Sequence, residues 1–294
     1  MLRDSRKRTT YSAFQDCLFL IIVVLLSLIL YVWRLGFYSD DWAFLSNFSL
    51  SIDQTLAGLF RAANSPITSM RPVQVFYLAG LYQLFGSNPI GFHLVNAAVL
   101  LLGTLLFYLV LRELDYQRLF SLAIPLAYAL LPHYSTDRFW VAAFQATLSM
   151  ALYFLSLYAD LRAVRSQQVR LWSWKLFSLI SLLCSVLAYE VFLPLFFLNP
   201  LIVWFHNQQQ YPSLLNKQPT RIKLAVLAGS HWLVLITVVV FKALTTNRMG
   251  KQADFGNHVV GIIKKVFSPY YSDYDYGLNM ALLNFKWVEL RHAG

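Results

Sequence analysis

Residues 17–33 read CLFLIIVVLLSLILYVW, a run of 17 residues with no charge, followed at once by Arg34. A helix rises about 1.5 Å per residue and needs roughly 17–25 apolar residues to cross a bilayer. Arg3, Arg6, Lys7 and Arg8 precede the run. A cleaved signal peptide begins in the same way, but its apolar core is about 7–15 residues and ends in small side chains. Here the run closes on Tyr31, Val32 and Trp33, so it reads as an uncleaved first span.

Working outward, runs at 92–111, 139–159 and 224–241 are long enough to cross, and 119–132, 176–189 and 191–205 are shorter. The last two flank Glu190. Joined as one helix they would reach about 45 Å, too long for one ordinary span, so they predict a hairpin turning near Glu190 and Pro194. Stretch 70–85 is apolar but interrupted by Arg71, Pro72, Gln74 and Gln83. It predicts a helix lying at the membrane interface, with Pro72 in its first turn. The expected fold is therefore all-α, a polytopic transmembrane bundle of about seven spans with an interfacial helix in the first outer loop. Residues 1–241 would form the membrane domain and 242–294 a basic, aromatic tail.

Composition agrees. Of 294 residues, 58% are hydrophobic and only 13% charged, against about 25% charged in soluble domains. With seven spans and a cytoplasmic N-terminus, the inner loops carry most of the Lys and Arg, including Arg112, Arg118, Arg162, Arg165, Arg170 and Lys175. The outer loops carry Arg34, Arg61, Arg71 and Arg138. This is the pattern of the positive-inside rule, and a bacterial plasma membrane is the simplest setting. The tail departs from it with Lys242, Arg248, Lys251, Lys264 and Lys265. The formal net charge of +10 is dispersed between apolar runs, which argues against nucleic acid as a partner. Cys17 and Cys184 both sit in apolar runs and suggest neither a disulfide framework nor a zinc site.

Acidic residues are few, and five fall outward in this topology: Asp40, Asp41, Asp53, Asp137 and Glu190. The pair Asp40-Asp41 follows the first span among aromatics, where burial and mutual repulsion raise a carboxyl pKa. That suits a general base or a metal ligand. The plain alternative is a solvated loop in which Ser39 or Asp41 caps the next helix. His133 and Asp137, spaced i, i+4, would share a face if helical and present a ligand or hydrogen-bonding pair. A capped helix start with an Asp137–Arg138 surface pair is the competing reading. Glu190 interrupts more than 25 apolar residues, and an ionisable group near membrane depth points to function; otherwise it is a hairpin tip reaching water. Arg71 could hold a phosphate or reach for headgroups. His93, Asn96 and His231 read as helix–helix hydrogen bonding, and Gly103, Thr104 and Pro125 as packing.

Four segments, in order, carry a resemblance: Asp40-Asp41; Arg71-Pro72 followed by FGSNPIGFHLVN at 85–96; LPHYSTD at 131–137; and YEVFLP at 189–194. Together they span most of residues 1–205, and the chain resembles the GT-C superfamily of membrane glycosyltransferases. That group includes protein O-mannosyltransferases and the aminoarabinose transferase of lipid A. The resemblance implies transfer of a sugar from a polyprenyl-phosphate carrier to a lipid, glycan or protein acceptor on the outer side. Carried over by position, Asp40 or Asp41 would be the general base, or would help hold a divalent cation such as Mg or Mn. Arg71, His133, Asp137 and Glu190 would orient substrates. Apart from the resemblance, the basic tail's departure from the charge pattern suggests that Arg248 and Lys251 supply positive charge to the departing phosphate. Members of the group usually continue with further spans. The competing expectation is thus an inactive GT-C-like protein, or a transporter, that binds a lipid-linked sugar or a partner.

Overall fold

The computed structural model describes residues 2–65, 68–131, 138–166, 168–190, 193–210 and 229–242, and every regular element among them is helical. The chain divides into two units, Met1–Phe241 and Lys242–Gly294. The first unit is described below. His133, Asp137, Arg248 and Lys251 lie outside the described residues.

Helix α1 (Leu2–Val32) contains the opening apolar run. Four short pieces follow before the next long helix: α2 (Asp41–Ser49), α3 (Leu56–Ala62), a 3₁₀ turn at Thr68–Met70, and α4 (Pro72–Phe85). Helix α4 begins with Pro at its first turn, where the missing N–H leaves no intrahelical bond unmade. Its 14 residues reach only about 21 Å, short of a bilayer core of about 30 Å. Gly86, at φ +58°, ends it in a conformation that a side chain disfavours. Asn88 then caps α5 (Pro89–Glu113), its side chain accepting from the Ile90 N–H at 3.1 Å. After α6 (Arg118–Leu130) come α7 (Gln145–Arg165), α8 (Gln168–Ala188), α9 (Leu193–Gln210) and α10 (Gly229–Lys242). Helix α8 ends at Ala188, before Tyr189 and Glu190, and α9 begins at Leu193 with Pro194 in its first turn, so the helix breaks near the position expected for a turn.

Two segments, Pro89–Glu113 and Arg170–Ala188, are long and apolar enough to cross a membrane. Ala13–Ile29, Arg118–Leu130, Leu195–His206 and Gly229–Lys242 are apolar but shorter. The run expected at 139–159 becomes a long helix only from Gln145, because 141–144 form a turn whose Ala142 N–H is taken by Asp41. Seven full-length crossings are therefore more than these helix lengths provide.

Apolar packing holds the long helices together. Leu106 and Val110 of α5, Tyr153, Phe154 and Leu157 of α7, Leu182 and Val186 of α8, Phe196 of α9 and Leu235 of α10 form one buried cluster. Phe107 and Phe154 stack with centroids 4.3 Å apart. Gly103 lets α5 approach α7 closely: a Cβ there would stand 3.1 Å from that of Ala151. Serines join α7 to α8. Ser149 and Ser185 each donate to the other's carbonyl, at 2.9 and 2.7 Å, and Ser156 meets Ser178 at 3.1 Å. Small residues and hydroxyl pairs of this kind let helices pack where no apolar contrast drives them together.

Charge sits inside this assembly. Asp160 of α7, Lys175 of α8 and His231 of α10 are all buried. The Lys175 ammonium donates to Asp160 Oδ1 at 2.8 Å and to His231 Nδ1 at 2.9 Å. An ammonium only donates, so Nδ1 accepts and the ring proton sits on Nε2, 2.5 Å from Asp160 Oδ2. Lys175 was expected in an inner loop; the fold instead draws it inward to match Asp160. Asp16 of α1 is likewise buried, taking the Arg118 guanidinium at 2.7 Å and the Tyr108 hydroxyl at 2.8 Å. Glu113 receives Arg162 at 3.2 Å, and Arg165 closer still.

Large apolar side chains face outward on the same helices: Phe14, Leu18, Ile22 and Leu26 on α1, Leu119 and Phe120 on α6, Trp172, Leu176 and Ile180 on α8, and Leu233 and Ile236 on α10. Lys175→Met should lower stability by about 3–5 kcal/mol, because Asp160 is then a buried charge facing only a histidine. The double change Lys175→Met with Asp160→Leu should recover most of the loss. Reversible unfolding in mild detergent, followed by circular dichroism, measures both.

Candidate functional site

The site is built where the short helices after α1 meet the starts of α5 and α7 and the end of α8. The chain turns sharply at 38–41. Ser39 adopts φ +43°, rare for a residue with a side chain, and the turn splits the acidic pair. Asp40 is exposed, and among the described residues its carboxylate takes the Ser39 hydroxyl alone, at 3.2 Å. Asp41 points in and is 2% exposed. Its Oδ2 accepts from the Tyr38 N–H at 2.9 Å and its Oδ1 from the Ala142 N–H at 2.6 Å. The Ala142 carbonyl in turn accepts from Gln74 Nε2 at 3.0 Å, and Trp140 Nε1 donates to the Tyr38 carbonyl at 3.2 Å. Asp41 therefore ties the 38–41 turn to segment 140–142 and, through it, to α4. Neither Ser39 nor Asp41 is the cap of α2: that position is Asp40, which makes no side-chain cap bond.

Burial is the largest influence on Asp41 and pushes its carboxyl up from the ordinary aspartate value, while backbone N–H groups of Tyr38, Ala142 and Val141 pull it down. Beside it, Phe37, Phe44, Phe48, Leu78 and Phe92 line a small apolar recess.

The second part of the site is an ion pair that joins residues 119 positions apart. Arg71, just before α4, donates Nε to Glu190 Oε2 at 3.0 Å and Nη2 to Oε1 at 2.6 Å. Nη1 reaches Gln145 Oε1 at 3.5 Å, and the guanidinium carbon lies 4.8 Å from the Tyr189 ring centre. A forked guanidinium–carboxylate contact of this kind is strong and directional. Beneath it, Phe144, Leu148 and Ala188 pack with Val73 and Tyr77. Glu190 is therefore no hairpin tip reaching water; it anchors α4 to the end of α8.

His93 and Asn96 take the hydrogen-bonding role expected of them, with one difference. Asn96 Oδ1 accepts from the Tyr77 hydroxyl of α4 at 2.6 Å, a helix–helix bond. His93 instead meets a loop, its Nε2 lying 3.0 Å from the Gly36 carbonyl. Arg138 donates to the carbonyls of Ala129 and Leu131 at 2.5 and 2.8 Å, closing the end of α6.

Gln74, Gln145, Trp140 and Tyr189 were not singled out from the sequence. The legible signal was polar amides inside apolar runs, Gln74 and Gln145 in particular. Among the described residues no group of three His, Cys, Asp or Glu side chains stands close enough together to hold a metal ion. Both oxygens of Asp41 already accept backbone N–H groups, so the acidic pair offers Asp40 alone to a cation. The chain matches no family model, no curated protein and no solved structure.

The raised Asp41 carboxyl has a consequence with a definite sign. Between 3.8, its ordinary value, and its higher folded value, the folded chain holds a proton that the unfolded chain releases. Asp41 thus contributes stability below 3.8 that is lost as pH rises through the folded value. Stability measured against pH should show this fall in the native chain, and Asp41→Asn should remove it.

Proposed function

We propose that this chain is a GT-C-like membrane glycosyltransferase, with its N-terminus on the cytoplasmic side of a plasma membrane and about seven crossings, five of them by short or tilted helices. It would take a sugar from a polyprenyl-phosphate carrier and pass it to a lipid, glycan or protein acceptor on the outer side. The reading rests on residue pattern and on one structural observation. An exposed carboxylate, Asp40, is held out of a strained turn in an assembly whose other part is the ion pair of Arg71 and Glu190. Apolar surfaces on α1, α6, α8 and α10, with ion pairs inside, support the membrane part.

The roles follow from what each group leaves open. Asp41 is occupied by two backbone N–H groups, so Asp40 is the carboxylate available to take a proton. The acceptor hydroxyl would attack the anomeric carbon while its proton passes to Asp40. The bond from that carbon to the phosphate oxygen breaks, and the phosphate leaves with the electron pair. Arg71 Nη1, whose contact with Gln145 is long, is the guanidinium edge best placed to meet a phosphate. Glu190 fixes the orientation of that guanidinium. His133 and Asp137 keep the substrate-binding roles taken from the resemblance, and Arg248 and Lys251 the role inferred from the basic tail.

A second reading has its own observation. Asp160, Lys175 and His231 are ionisable groups buried between helices and away from the outer site, the placement a transporter uses. An inactive GT-C-like protein or a transporter binding a lipid-linked sugar would fit them.

Membranes containing the chain should transfer radiolabelled sugar from one member of a panel of polyprenyl-phosphate sugars. Asp40→Asn should reduce the rate by about 10²–10⁴-fold at equal expression, the usual worth of a general base. Equal rates in native and Asp40→Asn membranes would remove Asp40 from the chemistry. No transfer from any donor, with the chain folded and inserted, would favour the second reading. Glu190→Gln should slow transfer while leaving the chain folded, because a neutral amide no longer clamps Arg71 in one orientation.

A further inference from the structure

Among the described residues six buried polar side-chain atoms lack a hydrogen-bond partner, and three of them, His93 Nδ1, Asn96 Nδ2 and Arg138 Nε, fall together. Their residues line one recess, together with Leu28, Val32 and Phe139. His93 is 2% and Asn96 1% exposed. A buried polar atom without a partner costs about 1–3 kcal/mol, so three around one space call for an explanation.

The partners of the neighbouring atoms fix what each open atom can do. His93 Nε2 faces the Gly36 carbonyl, which only accepts, so the ring proton is on Nε2 and Nδ1 carries a lone pair. Asn96 Oδ1 takes the Tyr77 hydroxyl, leaving the amide nitrogen as a donor. Both terminal nitrogens of Arg138 serve carbonyls at the end of α6, leaving Nε–H as a donor. The recess therefore presents two donors and one acceptor.

We propose that this recess binds a hydroxyl group on the head of an amphiphilic ligand, such as a sugar- or polyol-bearing lipid. A hydroxyl oxygen accepts from Asn96 and Arg138 and gives its single proton to His93. A carboxylate or phosphodiester accepts twice but has no proton for Nδ1, and an ammonium meets two donors. The surroundings favour an amphiphile over a free sugar. Tyr31 is exposed and packs on Phe139 with centroids 6.0 Å apart. Exposed Trp33 follows Val32 of the lining in sequence, and the carbonyl of exposed Leu131 accepts from Arg138. Aromatic side chains at the end of an apolar helix mark the headgroup level of a bilayer. The recess measures about 230 Å³ only when the open space at its mouth is counted; its enclosed part has room for about one water-sized group, so one hydroxyl enters while the rest of the head stays outside. The proposal does not depend on glycosyl transfer: a chain with no transferase activity would still bind here.

The test uses the full chain in phosphatidylcholine nanodiscs with ¹⁵N-labelled histidine. Decyl glucoside, its tetra-O-methyl ether and decyl phosphate are titrated while the His93 Nδ1 resonance is followed. The glucoside should shift that resonance saturably. The ether keeps every acceptor but has no proton to give, and should bind about tenfold more weakly, the effect of one buried hydrogen bond left unmade. Asn96→Asp keeps the oxygen that Tyr77 needs and removes the amide donor; it should weaken the glucoside by a similar factor. Equal binding of ether and glucoside would overturn the proposal, as would tighter binding of decyl phosphate. No saturable response to the glucoside would also overturn it, and would assign the three atoms to an ordinary buried water.

Discussion

A helix that shows Leu, Ile, Phe and Trp to its surroundings must satisfy its polar groups against other helices, and this constraint organises the described helices. Three buried charges meet opposite charges from other helices, while buried Asp41 is held by backbone N–H groups. Asp16 of α1 takes Arg118 of α6, and Asp160 of α7 takes Lys175 of α8 with His231 of α10. Isolated charges at these depths are too costly to keep. The pairs therefore act as registers: a helix that slid by one turn would leave a carboxylate or an ammonium alone. Apolar contact then fills the space between them, with Gly103 against Ala151 and the serine pairs of α7 and α8 setting how closely the helices approach.

The site around Asp41 and Arg71 obeys the same rule under different geometry. Helices α2, α3 and α4 are too short to stabilise themselves, so they depend on contacts made far along the chain. Asp41 supplies one by accepting the Ala142 N–H, and Arg71 supplies the other by clamping Glu190. Both contacts tie the segment before α5 to segments after α6. The two acidic neighbours consequently do different work. Asp41 holds the loop in place, and the strained turn at Ser39 that lets it do so leaves Asp40 outward.

Much of this was legible in residues alone, and some was not. Pro72 after Arg71 announced the start of α4, and the interruption at Glu190 announced the break between α8 and α9, because proline and a lone charge act locally. The acidic pair could be located but not resolved into two roles, since both residues are Asp with the same neighbours. Only the arrival of Ala142 from a distant segment separates them. Arg118, Arg162, Arg165 and Lys175 read as loop charges by their position between apolar runs. The fold gives each an acidic partner, and counting charge along a chain cannot see pairing across helices.

Sequence by itself determined the helical class, the apolar exterior and the position of most helix ends, because hydropathy, proline and capping residues act over a few positions. Tertiary structure decided which polar residues meet. It joined Arg71 to Glu190, buried Asp41 while exposing Asp40, closed the triangle of Asp160, Lys175 and His231, and gathered His93, Asn96 and Arg138 around one recess. The physical reason is that hydrogen bonds and ion pairs are decided within about 3 Å, a distance fixed by how whole helices pack.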